Sequence, residues 1–414
     1  MKTILKNKIA ETPSAVETGI SAKTGRMLLR ALRAAQPISR IELARRLGIN
    51  RSTVTDTFKP LIAAGVIREQ ALPTASQTNR LQGRPPVGLS FNSDHDFFVG
   101  VNLGVKHTQI GLTILTGEML AETEFETPHD SAAALKLIQT HIATMCEKIS
   151  GRSLRSVGVS VPGPTDAARS RLLYAPHLSW HDIAVADELR KKCQAVQNVP
   201  IIVENDATAA ALYEVRLHLR NTENAALKNF VLLRSGTGIG VGLVIEGEVY
   251  RGTGISEGSA GEFGHMTIVA GGKQCVCGNR GCWEKYASAS AASSLYTGDR
   301  ANFGGAPPPR FFDIVGRAES GEIRAQRTLE RLGEYLGIGI ANVIIGLGVQ
   351  RIIVSGRLVY GWKYIKQPLR EAVGRSMVGK LPGWTVECGE AKGAAIGGAL
   401  EVAVEEYLIH GLRL

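Results

Sequence analysis

A dense group of metal-binding residue types constrains the fold of this chain most. His265, Cys275, Cys277 and Cys282 fall within eighteen residues, whereas the 414-residue chain has only six cysteines in all. Three thiolates and one imidazole match the tetrahedral preference of Zn²⁺, and four protein ligands leave no open position for water chemistry. The spacing therefore predicts a structural zinc site rather than three incidental cysteines, and its Cys-x-Cys pair differs from the Cys-x-x-Cys of redox sites.

The remaining composition is that of an ordinary globular protein. Hydrophobic residues make up 44% of the chain and charged residues 21%, and the length favours two or three domains. The chain contains no stretch of eighteen apolar residues, and its start, "MKTILKNKIAETPSAVETG", lacks the apolar run of a secretory signal. We expect a cytoplasmic protein without a membrane segment, in which six cysteines argue against a disulfide framework.

The excess positive charge lies entirely in the first ninety residues. Residues 1–90 contain 15 Lys or Arg and 5 Asp or Glu, a net charge of +10 that equals the formal charge of the whole chain. A basic segment fused to a neutral body is typical of a module that binds a polyanion such as DNA. A solvated basic tail is the alternative on charge alone.

The pattern of residues 25–70 favours the DNA-binding interpretation. Three short helices are indicated, with Pro37 ending the first, Ser39 capping the second, Gly48 terminating it and Asn50 positioned to cap the third. The run "LARRLGINRSTVTDTFKPLIAAGVI" resembles the winged helix-turn-helix of bacterial repressors. The second helix is predicted to turn four apolar side chains inward: Ile41, Leu43, Ala44 and Leu47.

The third helix has the composition of a recognition helix, whose N-terminal part enters the major groove. Its predicted outward side chains are residue types that bond phosphates and base edges, namely Arg51, Ser52, Thr53, Thr55 and Lys59. "VIREQ" and "PVGLSFN" are predicted to pair as wing strands around a polar loop that carries Arg80 and Arg84. A three-helix packing module without a DNA partner is the alternative.

From residue 96 onward, strands and helices alternate, which indicates an α/β architecture. The turn "SGTGIGVG" joins two apolar strands, so it lies on a β-hairpin and not at the strand-to-helix junction of a dinucleotide-binding fingerprint. Bare backbone N–H groups on such a hairpin can cradle phosphate, although a purely structural turn is also possible. Two α/β lobes built in this way resemble the actin-like ATPase and sugar kinase fold, whose members bind a ligand between the lobes.

Several motifs together resemble the ROK family of repressors, open reading frames and kinases. They are "VSVPGP", "VENDATAAALYE", "SGTGIGVGLV", "GEFGHM", "CGNRGCWEKYAS" and "GAAIGGAL", in the family's order. The resemblance implies that Asp206 stands at the position of the catalytic base. It also implies that Asn205, Glu262, His265 and Glu284 contact sugar hydroxyls, with His265 ligating zinc as well. A capping or surface role is the alternative for each carboxylate.

Departures from the kinase pattern favour a sensor over an enzyme. Asn102 stands where family kinases carry an Asp, Lys106 and His107 crowd the phosphate turn, and Ser355 begins "SGR" where kinases have a glycine pair. A neutral amide replaces a carboxylate poorly at Mg²⁺. The sequence thus predicts a sugar-responsive repressor of carbohydrate-utilisation genes. An active sugar kinase with a fused DNA-binding domain and a regulator controlled by a protein partner are the alternatives.

The expected organisation follows from these motifs. Residues 1–24 form an N-terminal arm and residues 25–90 a winged helix-turn-helix. Residues 95–205 form a first α/β lobe, onto which a C-terminal helix at 394–414 packs back, and residues 206–393 form a second lobe with the zinc loop. The expected partners are double-stranded operator DNA, a small sugar and further copies of the chain, in a homodimer or homotetramer on pseudo-palindromic operators.

Overall fold

The computed structural model of the protein describes residues 22–72, 87–93, 95–221, 228–253, 258–298 and 307–412. Its first part is a winged helix-turn-helix, as predicted. The elements in chain order are α1 (Ala22–Ala35), β1 (Ile38–Ser39), α2 (Arg40–Leu47), α3 (Arg51–Ala63), β2 (Ile67–Ala71) and β3 (Val87–Phe91).

Local chemistry sets the ends of α2, whereas Asn50, predicted to cap α3, stands at its N-cap position without a side-chain cap hydrogen bond. Ser39 caps α2 by accepting a hydrogen bond from the backbone N–H of Glu42 at 3.1 Å. Gly48 ends α2 in the left-handed region at φ 64°, which a residue without Cβ adopts at little cost. The wing strands β2 and β3 pair antiparallel, with Ile67 opposite Phe91.

One prediction for the second helix was wrong. Ile41 was expected to face inward, yet it is 62% exposed, whereas Leu43 is fully buried. Two residues along a helix correspond to a rotation of about 200°, so Ile41 and Leu43 cannot both face the same core. The wing-loop residues Arg80 and Arg84 lie outside the described residues.

The first α/β sheet follows the winged helix. Its strand order is β10-β7-β4-β5-β6, in which β4 pairs parallel with β7 and antiparallel with β5. Helices α4 (Ser131–Glu147) and α5 (Val185–Lys192) contribute to its core, and β8 (Leu172–Ala175) and β9 (Trp180–Ile183) form a separate hairpin. The strands are β4 (Asp96–Leu103), β5 (His107–Thr113), β6 (Met119–Glu126), β7 (Ser153–Val161) and β10 (Ile201–Asn205).

The second sheet has the strand order β13-β12-β11-β14-β15. Strands β11 and β12 pair antiparallel, so the glycine-rich turn between them lies on a hairpin, as predicted. The strands are β11 (Phe230–Ser235), β12 (Ile239–Ile245), β13 (Glu248–Tyr250), β14 (Arg351–Gly356) and β15 (Thr385–Cys388). The helices on this side are α7 (Glu284–Ala287), α8 (Ala291–Thr297), α9 (Phe311–Glu319), α10 (Ile323–Leu347) and α11 (Trp362–Arg375).

In the part of the chain that the structure describes, no helix is long and apolar enough to cross a membrane.

Two helices fill the space between the sheets, α6 (Asp206–Asn221) and α12 (Ala394–Glu406). Helix α12 packs on the first sheet, where the Ser156 hydroxyl donates to the Ala403 carbonyl at 2.6 Å. Helix α6 packs on β11 and β12 of the second sheet and against α12. A Cβ added at Gly398 would lie 2.7 Å from the Ala209 carbonyl carbon, so the close approach of the two helices requires glycine there.

The winged helix shares a hydrophobic core with the rest of the chain. Leu28, Leu32 and Phe58 of its helices belong to the same buried cluster as Leu219 of α6 and Leu408, which follows α12. All of these side chains are at most 8% exposed. The winged helix therefore packs directly against the α/β body.

Candidate functional site

A cleft of about 350 Å³ opens beside the first turns of α6 and α12. The β4–β5 turn, the β11–β12 hairpin and the loop from residue 262 to residue 284 form the rest of its wall. The five residues predicted on the sugar side all line this cavity: Asn205, Asp206, Glu262, His265 and Glu284. Folding thus brings together residues that come from separate segments of the sequence.

Asn205 and Asp206 lie at the junction of β10 and α6, and each has partners in the protein. The Asn205 side-chain oxygen accepts hydrogen bonds from the backbone N–H groups of Ala207 and Thr208 at 2.9 and 3.1 Å, so Asn205 caps α6. The Asp206 carboxylate accepts a hydrogen bond from the guanidinium of Arg234, at the end of β11. Asp206 therefore faces the cleft already paired with a cation.

The remaining carboxylates stand close to the histidines. Glu284 is 4% exposed, and its carboxylate lies 3.6 Å from His177 Nε2 and 4.0 Å from His265 Nδ1. Burial, with the negative charges of Asp206 and Glu284 adding to it, raises the pKa of Glu262 to about 7. At neutral pH Glu262 is therefore able to donate as well as accept a hydrogen bond, which suits recognition of a hydroxyl group.

The glycine hairpin contacts the same group of residues. A Cβ added at Gly238 would lie 2.3 Å from the Glu284 Oε2 atom. Only a residue without a side chain lets the turn approach this carboxylate so closely. The hairpin thus forms the part of the cleft wall that leaves backbone groups open to a ligand.

The four predicted metal ligands form one cluster next to the cleft. Single ligand atoms of His265, Cys275, Cys277 and Cys282 all lie within 4.8 Å of one another. Cys277 Sγ is 3.7 Å from Cys282 Sγ, and Cys275 Sγ is 3.6 Å from His265 Nδ1. A tetrahedron with metal–sulfur bonds of ~2.3 Å has edges of about 3.8 Å. The cluster could therefore hold a tetrahedral metal ion.

His265 connects the cluster with the cleft. Its Nδ1 atom faces Cys275, whereas its Nε2 atom lies 3.9 Å from a carboxylate oxygen of Glu262. The imidazole can then bind a metal through one nitrogen while the other remains directed toward a ligand in the cleft. A metal bound here would fix the orientation of this ring.

The residues predicted to depart from the kinase pattern lie at or near another part of the cleft wall. Asn102 is 6% exposed, and its carboxamide bonds to Gln109 at 3.2 Å and to Ser160 at 3.0 Å. Lys106 and His107 are exposed on the β4–β5 turn and line the cleft. Ser355 is fully buried and directs its hydroxyl to the Leu233 carbonyl at 3.4 Å, so its neighbours Gly356 and Arg357 face the cleft instead.

Five of the seven predicted DNA-contacting side chains lie on α3. In α3 the buried residues are Val54, Thr57, Phe58 and Leu61. Arg51, Ser52 and Lys59 are exposed, and Thr53 and Thr55 are partly exposed. Thr55 also donates its hydroxyl hydrogen to the Arg51 carbonyl at 3.1 Å. The N-terminal part of α3 thus presents its polar side chains to solvent.

Sequence reasoning missed several residues of the cleft, among them Arg234 and His177. Arg234 interrupts the apolar strand "NFVLLRS" directly before the glycine turn, and a charge at that place is a signal that a cleft lies nearby. His177 follows a proline in a loop. Its approach to Glu284, more than a hundred residues later, carries no local signal.

Comparison with known proteins assigns the chain to a family. The family model described as ROK family matches residues 98–405, and a model described as winged helix-turn-helix DNA-binding matches residues 22–68. The xylose repressor of Bacillus subtilis is 30% identical over 370 residues, which cover 88% of this chain and 90% of that protein.

Solved structures give the same result. A ROK family transcriptional regulator, described as a homologue of the E. coli MLC protein, superposes with a TM-score of 0.71 at 27% identity, covering 95% of this chain and 97% of its own. A ROK family glucokinase from Streptomyces griseus, in complex with glucose and AMPPNP, has a TM-score of 0.63 at 26% identity and covers 74% of this chain and 99% of its own. The chain belongs to the ROK family.

Proposed function

We propose that the protein is a sugar-responsive transcriptional repressor of carbohydrate-utilisation genes. The observation that carries this proposal is the packing of a winged helix against a body whose cleft gathers Asp206, Glu262, His265 and Glu284. Relatives named as xylose repressors, which match across both parts of the chain, support it. Operator DNA is the partner of the winged helix, and a small sugar is the ligand of the cleft.

The sugar binds through fixed donors and acceptors on one side of the cleft. Glu262, His265 and Glu284 bond hydroxyl groups, and Asp206 accepts a further hydroxyl hydrogen once its carboxylate turns from Arg234. Asn205 holds the start of α6 and touches the sugar only through the edge of its carboxamide that lines the cleft. Such a site discriminates by leaving buried polar groups unpaired when the wrong sugar binds.

Zinc is the metal that fits the cluster. Its ligands are His265, Cys275, Cys277 and Cys282, which supply the three thiolates and one imidazole of a closed structural site. When bound, zinc supplies a rigid cross-link and no open coordination position. The loop that carries these residues also carries Glu284, so the metal stabilises one wall of the cleft.

Helix α3 and the wing bind the operator DNA. Arg51, Ser52, Thr53, Thr55 and Lys59 reach bases and phosphates in the major groove, and Arg80 and Arg84 in the wing loop reach the minor groove or the backbone. The chain acts as a homodimer or homotetramer, whose two-fold symmetry matches a pseudo-palindromic operator.

The proposed division of the chain follows these functions. Residues 25–90 bind DNA after an arm at 1–24, although the last three residues of this arm already belong to α1 in the structure. Residues 95–205 together with the C-terminal helix form one lobe, and residues 206–393 form the other. Contacts of α12 with β4, β5, β7 and β10 support the assignment of this helix to the first lobe.

We infer that the protein is not an enzyme. Asn102 supplies no carboxylate for Mg²⁺, and its carboxamide is committed to Gln109 and Ser160. Lys106 and His107 occupy the phosphate turn, and Ser355 is turned into the core. An ATP-dependent sugar kinase is the second candidate, favoured by the presence of Asp206 beside the glycine hairpin in the cleft. The ion pair of Asp206 with Arg234 opposes it, because a sugar hydroxyl would have to displace the guanidinium from the carboxylate.

The deciding experiment is fluorescence anisotropy of labelled DNA from upstream of the protein's own gene, at fixed salt. D-xylose, D-glucose and N-acetyl-D-glucosamine are titrated with and without ATP. We expect one sugar to lower DNA affinity at least tenfold without ATP. DNA binding that no sugar alters would refute the sensor, and sugar-dependent ADP release that Asp206→Asn abolishes would establish the kinase.

A further inference from the structure

Helix α1 of the winged helix contacts the first-sheet side of the body through buried groups. Its Arg33 side chain donates from Nε to the Leu115 carbonyl in the β5–β6 turn at 3.0 Å. The same guanidinium forms an ion pair with Glu401 of α12, and the two side chains are only 3% and 9% exposed. This contact ties α1 to the helix that packs on the first sheet.

The same helix also contacts the second sheet, at the turn between β12 and β13. Lys23 Nζ lies 2.5 Å from Glu246 Oε2, and Arg26 Nε lies 3.5 Å from Glu248 Oε1. Arg30 donates to the other oxygen of Glu248 at 2.9 Å. Spacings of three and four residues place these three cations on one face of α1.

Arg30 joins the two sets of contacts. While its Nη2 atom bonds Glu248, its Nε atom donates to Glu405 of α12 at 2.9 Å. The two sets differ in burial, because the Lys23 and Glu246 side chains are 50% and 72% exposed, against single-digit exposure on the Arg33 side. Exposed pairs contribute little stability and exchange readily with water. The contacts with the β12–β13 turn range from this exposed pair to the part-buried pair of Arg30 with Glu248, so they break at lower cost than the buried Arg33–Glu401 pair.

The helices that contact α1 also reach the cleft. The first residues of α6 and α12 line the cleft, whereas Arg216 of α6 and Glu405 of α12 lie 10 and 11 residues further along. At ~1.5 Å per residue these positions are about 15 Å from the cleft. Arg216 bonds Glu401 at 2.8 Å, so the ends of both helices meet beneath α1.

We propose that α1 is a strap across the two sheets, through which closure of the cleft moves the winged helix. The buried contacts keep α1 on α12, and a rotation of the second sheet pulls the β12–β13 turn away from Lys23, Arg26 and Arg30. The free energy that couples sugar to DNA resides mainly in the part-buried pair of Arg30 with Glu248, whose side chains are 12% and 32% exposed. This inference rests on the proposed function, since it requires a sugar that controls DNA binding.

The test removes the contacts between α1 and the turn of the second sheet, which are made by Glu246 and Glu248. The full chain carrying Glu246→Gln and Glu248→Gln is compared with the wild type by DNA anisotropy, with and without saturating D-xylose or whichever of D-glucose and N-acetyl-D-glucosamine acts on the wild type. Sugar binding is measured separately by calorimetry. Glu334→Gln, which removes an exposed pair with Arg375 on the other side of the second sheet, is the matched control.

We expect the double variant to bind sugar within threefold of the wild type while the effect of sugar on DNA affinity falls from at least tenfold to under threefold. Glu246→Lys alone should weaken the effect, and adding Lys23→Glu should restore it, which a folding defect would not allow. If sugar changes the DNA affinity of the double variant as much as that of the wild type, the role of α1 as a strap is refuted and the proposed function is unaffected. If none of the sugars changes the DNA affinity of the wild type, both the strap and the proposed function are refuted.

Discussion

Single residues decide whether this cleft can perform chemistry. Asp206 is the proposed vestigial proton acceptor, and Arg234 holds its carboxylate in an ion pair in which both side chains are 25% exposed. A sugar hydroxyl has to compete with this guanidinium for Asp206. The Arg234 guanidinium therefore holds the Asp206 carboxylate in place at the cleft.

The Asp206 carboxylate should contribute to sugar affinity and not to DNA affinity. Asp206→Asn keeps the shape of the side chain but replaces a charged acceptor, so we expect sugar binding to weaken by about 1.5–3 kcal/mol. Calorimetry measures this loss, and anisotropy without sugar should give the wild-type DNA affinity. Asp182→Asn, at a side chain 68% exposed and remote from the cleft wall, is the control. Equal sugar affinity in the two variants would remove Asp206 from the site.

Substitution of Cys277 tests the proposed zinc site. Cys277→Ser removes one of four ligands, so the protein should lose its zinc, and the melting temperature should fall because metal binding and folding are coupled. Elemental analysis of the purified protein and thermal unfolding measure both effects. Cys388→Ser changes an exposed cysteine outside the cluster and should alter neither. A Cys277→Ser protein that retains a full equivalent of zinc would contradict the ligand set.

At the scale of elements, α3 exposes polar side chains that are predicted to contact DNA. Arg51 lies exposed at its first position. Arg51→Ala should therefore cost about 1–3 kcal/mol of DNA binding and leave sugar affinity unchanged. DNA anisotropy across a range of salt concentrations measures the loss. Arg370→Ala, an exposed arginine on α11, is the control. A parallel loss of sugar binding in Arg51→Ala would argue against separate DNA and sugar surfaces.

The junction of α1, α6 and α12 depends on one buried carboxylate. Burial by itself would raise the pKa of Glu401, but Arg33 and Arg216 more than reverse this effect and hold it below its ordinary value. Glu401→Gln leaves both guanidinium groups without their counter-charge, so we expect a loss of about 3–5 kcal/mol in the free energy of unfolding.

The lowered pKa of Glu401 also determines in which direction the free energy of unfolding changes with pH. A pKa lowered by folding contributes stability that is complete above the ordinary glutamate pKa of about 4.3 and disappears as the pH falls through the lower folded value. The stability gap between the wild type and Glu401→Gln, measured by urea unfolding, should be constant from pH 6 to pH 7 and shrink on acidification below about pH 4. A gap independent of pH would exclude an ionised Glu401.

Sequence predicted the elements well, and their mutual contacts poorly. The cap at Ser39, the wing strands and the hairpin at "SGTGIGVG" depend on neighbouring residues, so local chemistry was sufficient. The pairs Arg234 with Asp206 and Arg33 with Glu401 join residues that are 28 and 368 positions apart. Such pairs depend on how helices pack, which hydrophobic periodicity does not specify. Ile41 was misplaced because apolarity alone does not fix a position on the helical wheel.

At the scale of the whole molecule, the DNA-binding part and the body share one core. Leu408 is 3% exposed and lies in a cluster with Leu28, Leu32 and Phe58 of the winged helix. Shared apolar burial makes two parts unfold together, because neither can open without exposing surface of the other. The winged helix is then a unit whose stability depends on the body behind it.

Urea unfolding with two probes tests this coupling. The four tryptophans, at positions 180, 283, 362 and 384, all lie outside the winged helix, so their fluorescence reports on the body, whereas hydrogen exchange of residues 51–63 reports on α3. We expect the two probes to give the same urea midpoint in the wild type.

Leu408→Ala should lower the urea midpoint seen by both probes, because it costs about 2–5 kcal/mol in the free energy of unfolding. Ile323→Ala changes a side chain that is 58% exposed and should leave both midpoints unchanged. Loss of protection in α3 at a lower urea concentration than the change in fluorescence would mean that the winged helix unfolds independently, and the shared cluster would then not couple the two parts.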